Sequence, residues 1–245
     1  DIETKILVTA QHRAMLDQVT SLFKIVPDFD LDLMRKNQGL CETTTGVLTG
    51  AQTVFEEFKP DLILVHGDTT TAMATALAAF YSGIPVGHVE AGLRTGNLKS
   101  PWPEEMNRRF VGMISSLHFA PTEVAKNNLL KEGVDSKAIF VTGNTVVDAL
   151  VTISSILSQD SDLSNKFDKY YNIVKNKKLI LVTGHRRENF GHGFDAICEA
   201  ILELAERDDV QIIFPVHLNP RVQAPVYETL SGKKNIFLIE PLEYL

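Results

Sequence analysis

Four polar clusters stand at the ends of short apolar runs in this sequence, and their residue types could do chemistry. Gly67-Asp68-Thr69-Thr70-Thr71 follows the run 62–66, and Glu90-Ala91-Gly92-Leu93-Arg94 follows 85–89. Gly184-His185-Arg186-Arg187-Glu188-Asn189 follows 179–183, and His217-Leu218-Asn219-Pro220 follows 211–216. Carboxylates such as Asp68, Glu90 and Glu104 can move protons where they are positioned against a reacting carbon. Two arginines and a histidine crowded at 185–187 repel one another unless an anion lies between them. Because guanidinium forks bind phosphate in a planar fashion, a phosphate-bearing ligand is the functional reading. A salt-bridged contact to Glu104, Glu105 or Asp68 is the plain alternative.

Ordinary structural roles compete for each of these residues. Asp68-Thr69 could simply cap the helix that follows, since Asp and Thr oxygens satisfy the free N–H groups there. Pro101-Trp102-Pro103-Glu104-Glu105 reads as a helix entry, with proline outside the first turn and acids that suit the helix dipole. Glu90 stands before Gly92, where a capping carboxylate is rarer, which favours a functional role. His66-x-Asp68 and His88-x-Glu90 resemble metal-ligand pairs, because residues i and i+2 project on one side of a strand. Both histidines sit in apolar runs, however, and no further ligand spacing completes a set. Buried neutral histidines are the stronger reading, with no metal. Neither a G-x-G-x-x-G nor a Walker motif is present.

The elements that must position these residues alternate along the chain. Strands are expected at 5–9, 62–66, 85–89, 117–120 and 139–142, and amphipathic helices at 13–23, 42–57, 70–81, 104–115 and 123–131. Helix-length connections rule out hairpins, so the strands should lie parallel in a helix-covered, doubly wound α/β sheet. Between 157 and 178 Ser, Asp, Asn and Lys dominate, which suggests a polar helical connection. Alternation resumes with strands at 179–183, 211–216 and 235–239 and a helix near 194–207. The expected organisation is thus a domain over 1–156, a connecting segment over 157–178, and the first part of a second domain over 179–245. Ligands of open α/β sheets bind beyond the carboxyl ends of the strands, where all four clusters fall.

Composition excludes several classes. Of 245 residues, 24 are Lys or Arg and 31 are Asp or Glu, a formal charge of −7, which argues against non-specific nucleic-acid binding. No apolar run approaches the roughly 18 residues of a membrane helix. Cys41 and Cys198 lie far apart with no metal-type spacing, as expected of free thiols in a reducing cytoplasm. The sequence opens Asp-Ile-Glu rather than Met, and its second unit stops just after a third strand. It therefore reads as part of a larger two-domain α/β protein.

With these residues in view, the sequence resembles the non-hydrolysing UDP-N-acetylglucosamine 2-epimerases of bacterial cell-surface polysaccharide synthesis. The resemblance rests on Thr9-Ala10-Gln11-His12-Arg13, His66-Gly67-Asp68-Thr69-Thr70-Thr71 and His88-Val89-Glu90-Ala91-Gly92-Leu93-Arg94. It continues through Ser100-Pro101-Trp102-Pro103-Glu104-Glu105-Met106-Asn107-Arg108, Thr142-Gly143-Asn144-Thr145, the 183–189 segment and Pro215-Val216-His217-Leu218-Asn219-Pro220. It implies two Rossmann-like domains of the glycosyltransferase-B type, and an isomerase that inverts C2 of UDP-N-acetylglucosamine without cofactor or metal. The implied path is loss of UDP with removal of the C2 proton, then re-addition of UDP after protonation from the opposite face. Asp68, Glu90, Glu104 and His185 match the family's catalytic residues, while Arg94 and Arg186 match substrate or UDP contacts. Asp68 and Glu104 are the favoured C2 acid/base pair, with Glu90 orienting the sugar or tuning the pKa values of the other two.

Some bacterial members are activated by a second UDP-N-acetylglucosamine, and the residues matching that pocket are Gln11, His12, Arg186 and His217. Ala14 and Asn37 replace a glutamine and an arginine of regulated members, so weak or absent activation is expected. The resemblance also implies a cytoplasmic homodimer. It further implies a preceding strand and later uridine diphosphate-binding segments, without which the 245 residues alone are expected to be inactive. A sugar-nucleotide glycosyltransferase, a hydrolysing relative and a non-catalytic nucleotide-binding module are the alternatives.

Overall fold

The computed structural model describes residues 2–10, 13–35, 38–160, 177–184 and 192–242. Their contacts divide the chain into two compact units, 1–149 and 150–245. In the first unit the order is β1 (Leu7–Val8), α1 (Arg13–Leu22), β2 (Phe29–Asp30), α2 (Leu40–Phe58), β3 (Ile63–His66), α3 (Thr70–Tyr81) and β4 (Val86–Val89). There follow α4 (Glu104–Ile114), β5 (Leu117–Ala120), α5 (Glu123–Lys131), a short 3₁₀ turn, β6 (Ile139–Val141) and α6 (Thr145–Gln159), which runs on into the second unit. There the order is β7 (Lys178–Leu181), α7 (His192–Ala205), β8 (Val210–Pro215), α8 (Pro220–Leu230) and β9 (Ile236–Ile239).

Every strand pair among the described residues is parallel, as helix-length connections require. β3-β4-β5-β6 form one sheet in chain order, β7-β8-β9 another, and β1 pairs with β2. Residues 161–176, most of the expected connecting segment, lie outside the described residues, as do Gln11, His12, Asn37, His185, Arg186 and Arg187.

Local sequence explains how the first sheet is covered. Helix α2 starts where the Glu42 carboxylate accepts the Gly39 N–H at 2.9 Å, and stops at Lys59, which turns left-handed. Helix α3 is rich in alanine, and Ala72, Ala74, Ala76, Ala78 and Ala79 are buried, so neighbouring helices can approach closely. Ala51 and Phe55 of α2, Val111 of α4, and Val65 and Val86 of the sheet complete that core. The second unit has a core of its own, with Phe194, Cys198 and Ile201 of α7 on Ile212 and Phe214 of β8 and on Val222, Val226 and Leu230 of α8.

Helix α4 departs from the usual pattern, because its buried face carries Glu105, Asn107 and Arg108 alongside Val111 and Gly112. Buried polar and charged groups demand partners. Those of Asn107 and Arg108 lie at the ends of β3 and β4.

Candidate active site at the carboxyl ends of β3 and β4

Strands β3 and β4 run in register, with His66 opposite Val89, so the chain leaves both at the same level. Beyond β3 comes Gly67 with φ +73°, a conformation glycine adopts without strain. A side chain there would also meet the Glu90 carboxylate, whose Oε2 lies 3.3 Å from the position of a Cβ. Asp68 follows, and the capping alternative is resolved by its neighbour. Thr69 is the N-cap of α3 and accepts the Ala72 N–H at 3.1 Å, leaving the Asp68 carboxyl for other contacts.

Beyond β4, Glu90 itself adopts a left-handed backbone with φ +65°. Such conformations cost a non-glycine residue about 1–3 kcal/mol and cluster at functional sites. The turn breaks strand alternation at Glu90, so the i, i+2 geometry expected of His88-x-Glu90 does not arise. Gly92 fixes the turn: a Cβ would come within 2.3 Å of the Ala125 carbonyl of α5, and the Asn128 amide donates to the Gly92 carbonyl at 3.0 Å.

Arg108 joins the two strand ends. Its guanidinium donates to the Asp68 carboxylate and to the Glu90 carbonyl, and lies 3.4 Å from Glu90 Oε2. The Arg108 side chain is 7% exposed, against 28% for Asp68 and 23% for Glu90, so the cation is the buried member and the acids are in part open to solvent. One residue earlier, Asn107 Nδ2 donates to the Asp68 carbonyl at 2.9 Å. Glu104 precedes Asn107 by three positions and Arg108 by four, which stacks all three on one helix face. The helix that grips Asp68 and Glu90 therefore carries Glu104 on the same side, one turn toward its N-terminus.

Glu105, adjacent in sequence, has a different task. It is buried and accepts the Thr95 and Gly96 N–H groups at 3.0 and 3.2 Å, with the Arg109 guanidinium at 3.0 Å. These partners outweigh its desolvation and hold its pKa below the usual carboxylate range. The expected acid pair of the helix entry is thus split into a loop anchor and a half-buried carboxylate.

Arg94 is placed in a tie between elements. Its guanidinium makes a fork with Glu132 of 2.8 and 2.7 Å and donates to the Leu93 carbonyl. Two of its five N–H donors remain after these contacts. Arg108 instead supplies the cation among the acids, although the sequence reading gives it no role. The signal available for it was the i+4 spacing from Glu104.

His66 and His88 also part company. His88 is fully buried and donates Nε2–H to the Gly67 carbonyl at 2.8 Å, while burial and the nearby cations pull its pKa down to about 4. His66 is exposed, against the expectation of a buried ring, because β3 ends there and its ring lies 3.3 Å from the Thr145 hydroxyl. Among the described residues, no three or more His, Cys, Asp or Glu side chains assemble as a metal shell would. No helix of the described residues is long and apolar enough to cross a membrane. In the second unit His217 follows β8, and its Nδ1 accepts the N–H of Asn219, the N-cap of α8, at 3.1 Å.

Comparison with known proteins gives this arrangement its context. A family model described as UDP-N-acetylglucosamine 2-epimerase matches residues 1–245. UDP-N-acetylglucosamine 2-epimerases of Escherichia coli O157:H7 and Yersinia pestis are 56% and 57% identical to this chain, each over 99% of it and 65% of the relative. Among solved structures, the Neisseria meningitidis UDP-GlcNAc 2-epimerase bound to UDP-GlcNAc is 52% identical with a TM-score of 0.93, covering 100% of this chain and 66% of that one. The Methanocaldococcus jannaschii UDP-GlcNAc 2-epimerase, in complex with UDP-GlcNAc and UDP, is 35% identical with a TM-score of 0.81. The chain spans about 65% of the length of the curated relatives it matches. The α/β class with parallel sheets is the expected one, and the chain belongs to the UDP-N-acetylglucosamine 2-epimerase family.

Proposed function

We propose that the protein carrying this chain interconverts UDP-N-acetylglucosamine and UDP-N-acetylmannosamine by elimination and re-addition of UDP. The observation that carries this reading is the meeting of Asp68 and Glu90 around Arg108, with Glu104 on the same face of the helix that holds them. Inversion at C2, the carbon that bears the acetamido group, needs proton transfer on two faces of the sugar ring. Carboxyl groups brought from a strand end and a helix end can serve the two faces. A base takes the C2 proton as the C1–O bond to UDP breaks, leaving a C1=C2 double bond. Protonation of C2 from the other face and return of the UDP oxygen to C1 complete the inversion. In this scheme Asp68 and Glu104 form the acid/base pair, and Glu90 orients the sugar. His185 and Arg186, which lie outside the described residues, would steady the diphosphate. No redox group or metal is required by these steps.

Ligand binding in the relatives supports the substrate, since the Neisseria protein is bound to UDP-GlcNAc. We also infer a cytoplasmic homodimer from the family. Weak or absent activation by a second UDP-N-acetylglucosamine remains part of the proposal, with His217 the one described residue of that set.

The test is to give the full-length protein UDP-N-acetylglucosamine alone in deuterium oxide. UDP-N-acetylmannosamine carrying deuterium at C2 is expected. Release of free N-acetylmannosamine with UDP would make it a hydrolysing enzyme, and turnover only after adding an acceptor would make it a transferase.

A further inference from the structure

The two peptide carbonyls that flank Asp68 are held by buried side chains from two other elements. From β4, His88 donates Nε2–H to the Gly67 carbonyl at 2.8 Å. From α4, Asn107 donates Nδ2–H to the Asp68 carbonyl at 2.9 Å, and its own exposure is 1%. The His88 Nδ1 is closed off from water and has no hydrogen-bond partner among the described residues. A neutral ring with its proton on Nε2 is the form that suits this setting, because a second N–H would be buried without an acceptor. Charging the ring would also set it against Arg108, Arg94 and His118, which all disfavour the protonated form.

Neither side chain transfers a proton in the proposed reaction, yet both converge on one residue of it. Arg108 grips the Asp68 carboxylate, but an ion pair alone leaves the backbone free to swing about the glycine that precedes it. Gly67 has a positive φ and no side chain, and only its N–H is tied to the Val89 carbonyl, at 3.0 Å, so the peptide that follows depends on other groups to hold it. We propose that His88 and Asn107 are positioning residues, clamping the carbonyls on both sides of Asp68 so that its carboxyl stays aligned with the C2 proton of the sugar. The inference rests on the epimerase reading. Misplacement of a reacting group by about 1 Å can cost on the order of 10²-fold in rate.

Isosteric substitutions separate positioning from mere packing. In glutamine the amide nitrogen falls near the place of Nε2, whereas in asparagine it falls near that of Nδ1. In the full-length protein His88→Asn should lower kcat by about 10²-fold with KM nearly unchanged, and His88→Gln should recover most of that loss. Asn107→Leu, which keeps the branching of the side chain and removes the donor, should behave like His88→Asn. Equal kcat for His88→Gln and His88→Asn, with both folded, would overturn the clamp, as would a loss confined to KM. A second measurement is independent of turnover and of the variants' folding: ¹⁵N NMR of histidine-labelled wild-type protein. A neutral Nε2–H ring for His88 at pH 6 supports the clamp, while an Nδ1–H or doubly protonated ring refutes it. A wild type that makes no UDP-N-acetylmannosamine but shows that ring form would sink the epimerase reading and leave the hydrogen-bond clamp standing.

Discussion

An acid beside a helix N-terminus is usually consumed by capping, and the residues here avoid that by division of labour. Thr69 caps α3, so the Asp68 carboxyl is left to Arg108 and to solvent. Asp68→Asn should therefore remove chemistry without loosening the helix. We expect Asp68→Asn, Glu90→Gln and Glu104→Gln each to cut epimerisation by at least ~10²-fold, measured as C2 deuterium incorporation. Undiminished turnover in all three would remove the carboxylates from the mechanism. Arg108→Ala is a different case, since it strips the buried cation from two acids. Breaking a fully buried pair costs about 3–5 kcal/mol, and the partly exposed acids reduce that here to about 2–3 kcal/mol, readable as a lower urea midpoint. Asp68 and Glu90 were legible from sequence because polar residues after apolar runs mark strand ends. Arg108 and Asn107 were not, because their meaning depends on which face of α4 is buried. Nor was the partner of Arg94, because the sequence does not show that Glu132, just past the end of α5, is brought beside it.

At the level of elements, periodicity located what is long and regular. Helices α3 and α5 and strand β5 carry the bounds expected from sequence, 70–81, 123–131 and 117–120. Strand β2 escaped because two residues carry no alternation to read. Helix α8 was hidden by Pro220 and Pro225, although proline at the first position is favourable and Pro225 still lies in the second turn. The loops between elements are more exacting than the elements. Gly92 needs both a positive φ and the absence of a Cβ, which would meet the Ala125 carbonyl at 2.3 Å, whereas Gly96 has a positive φ in open space. Gly92→Ala should therefore cost more than ~3 kcal/mol, and Gly96→Ala only about 1 kcal/mol. Similar midpoints in equilibrium urea unfolding would contradict this account of the turn after β4.

For the molecule as a whole, the buried histidines set an acid limit. His88 has a folded pKa of about 4 against 6.5 unperturbed, chiefly because burial disfavours the charged ring. Its folded form stays neutral where the unfolded chain takes up a proton. The stabilisation is thus complete above pH 6.5 and is lost progressively as pH falls toward 4, by about 3 kcal/mol. His118 shifts in the same direction for the same reason, and Glu105 adds a further loss once pH falls through the carboxylate range. Urea midpoints between pH 7.5 and 4 should fall accordingly, and His88→Gln should flatten the upper part of that profile. A profile unchanged by the substitution would assign the acid sensitivity elsewhere. The left-handed Glu90 bears on how such a protein would evolve in the laboratory. Its backbone conformation costs an L-residue about 1–3 kcal/mol, and asparagine tolerates it better while carrying no charge toward Asp68. A library screened for survival at high temperature alone would accumulate Glu90→Asn, and its hardiest clones would be those that had given up turnover.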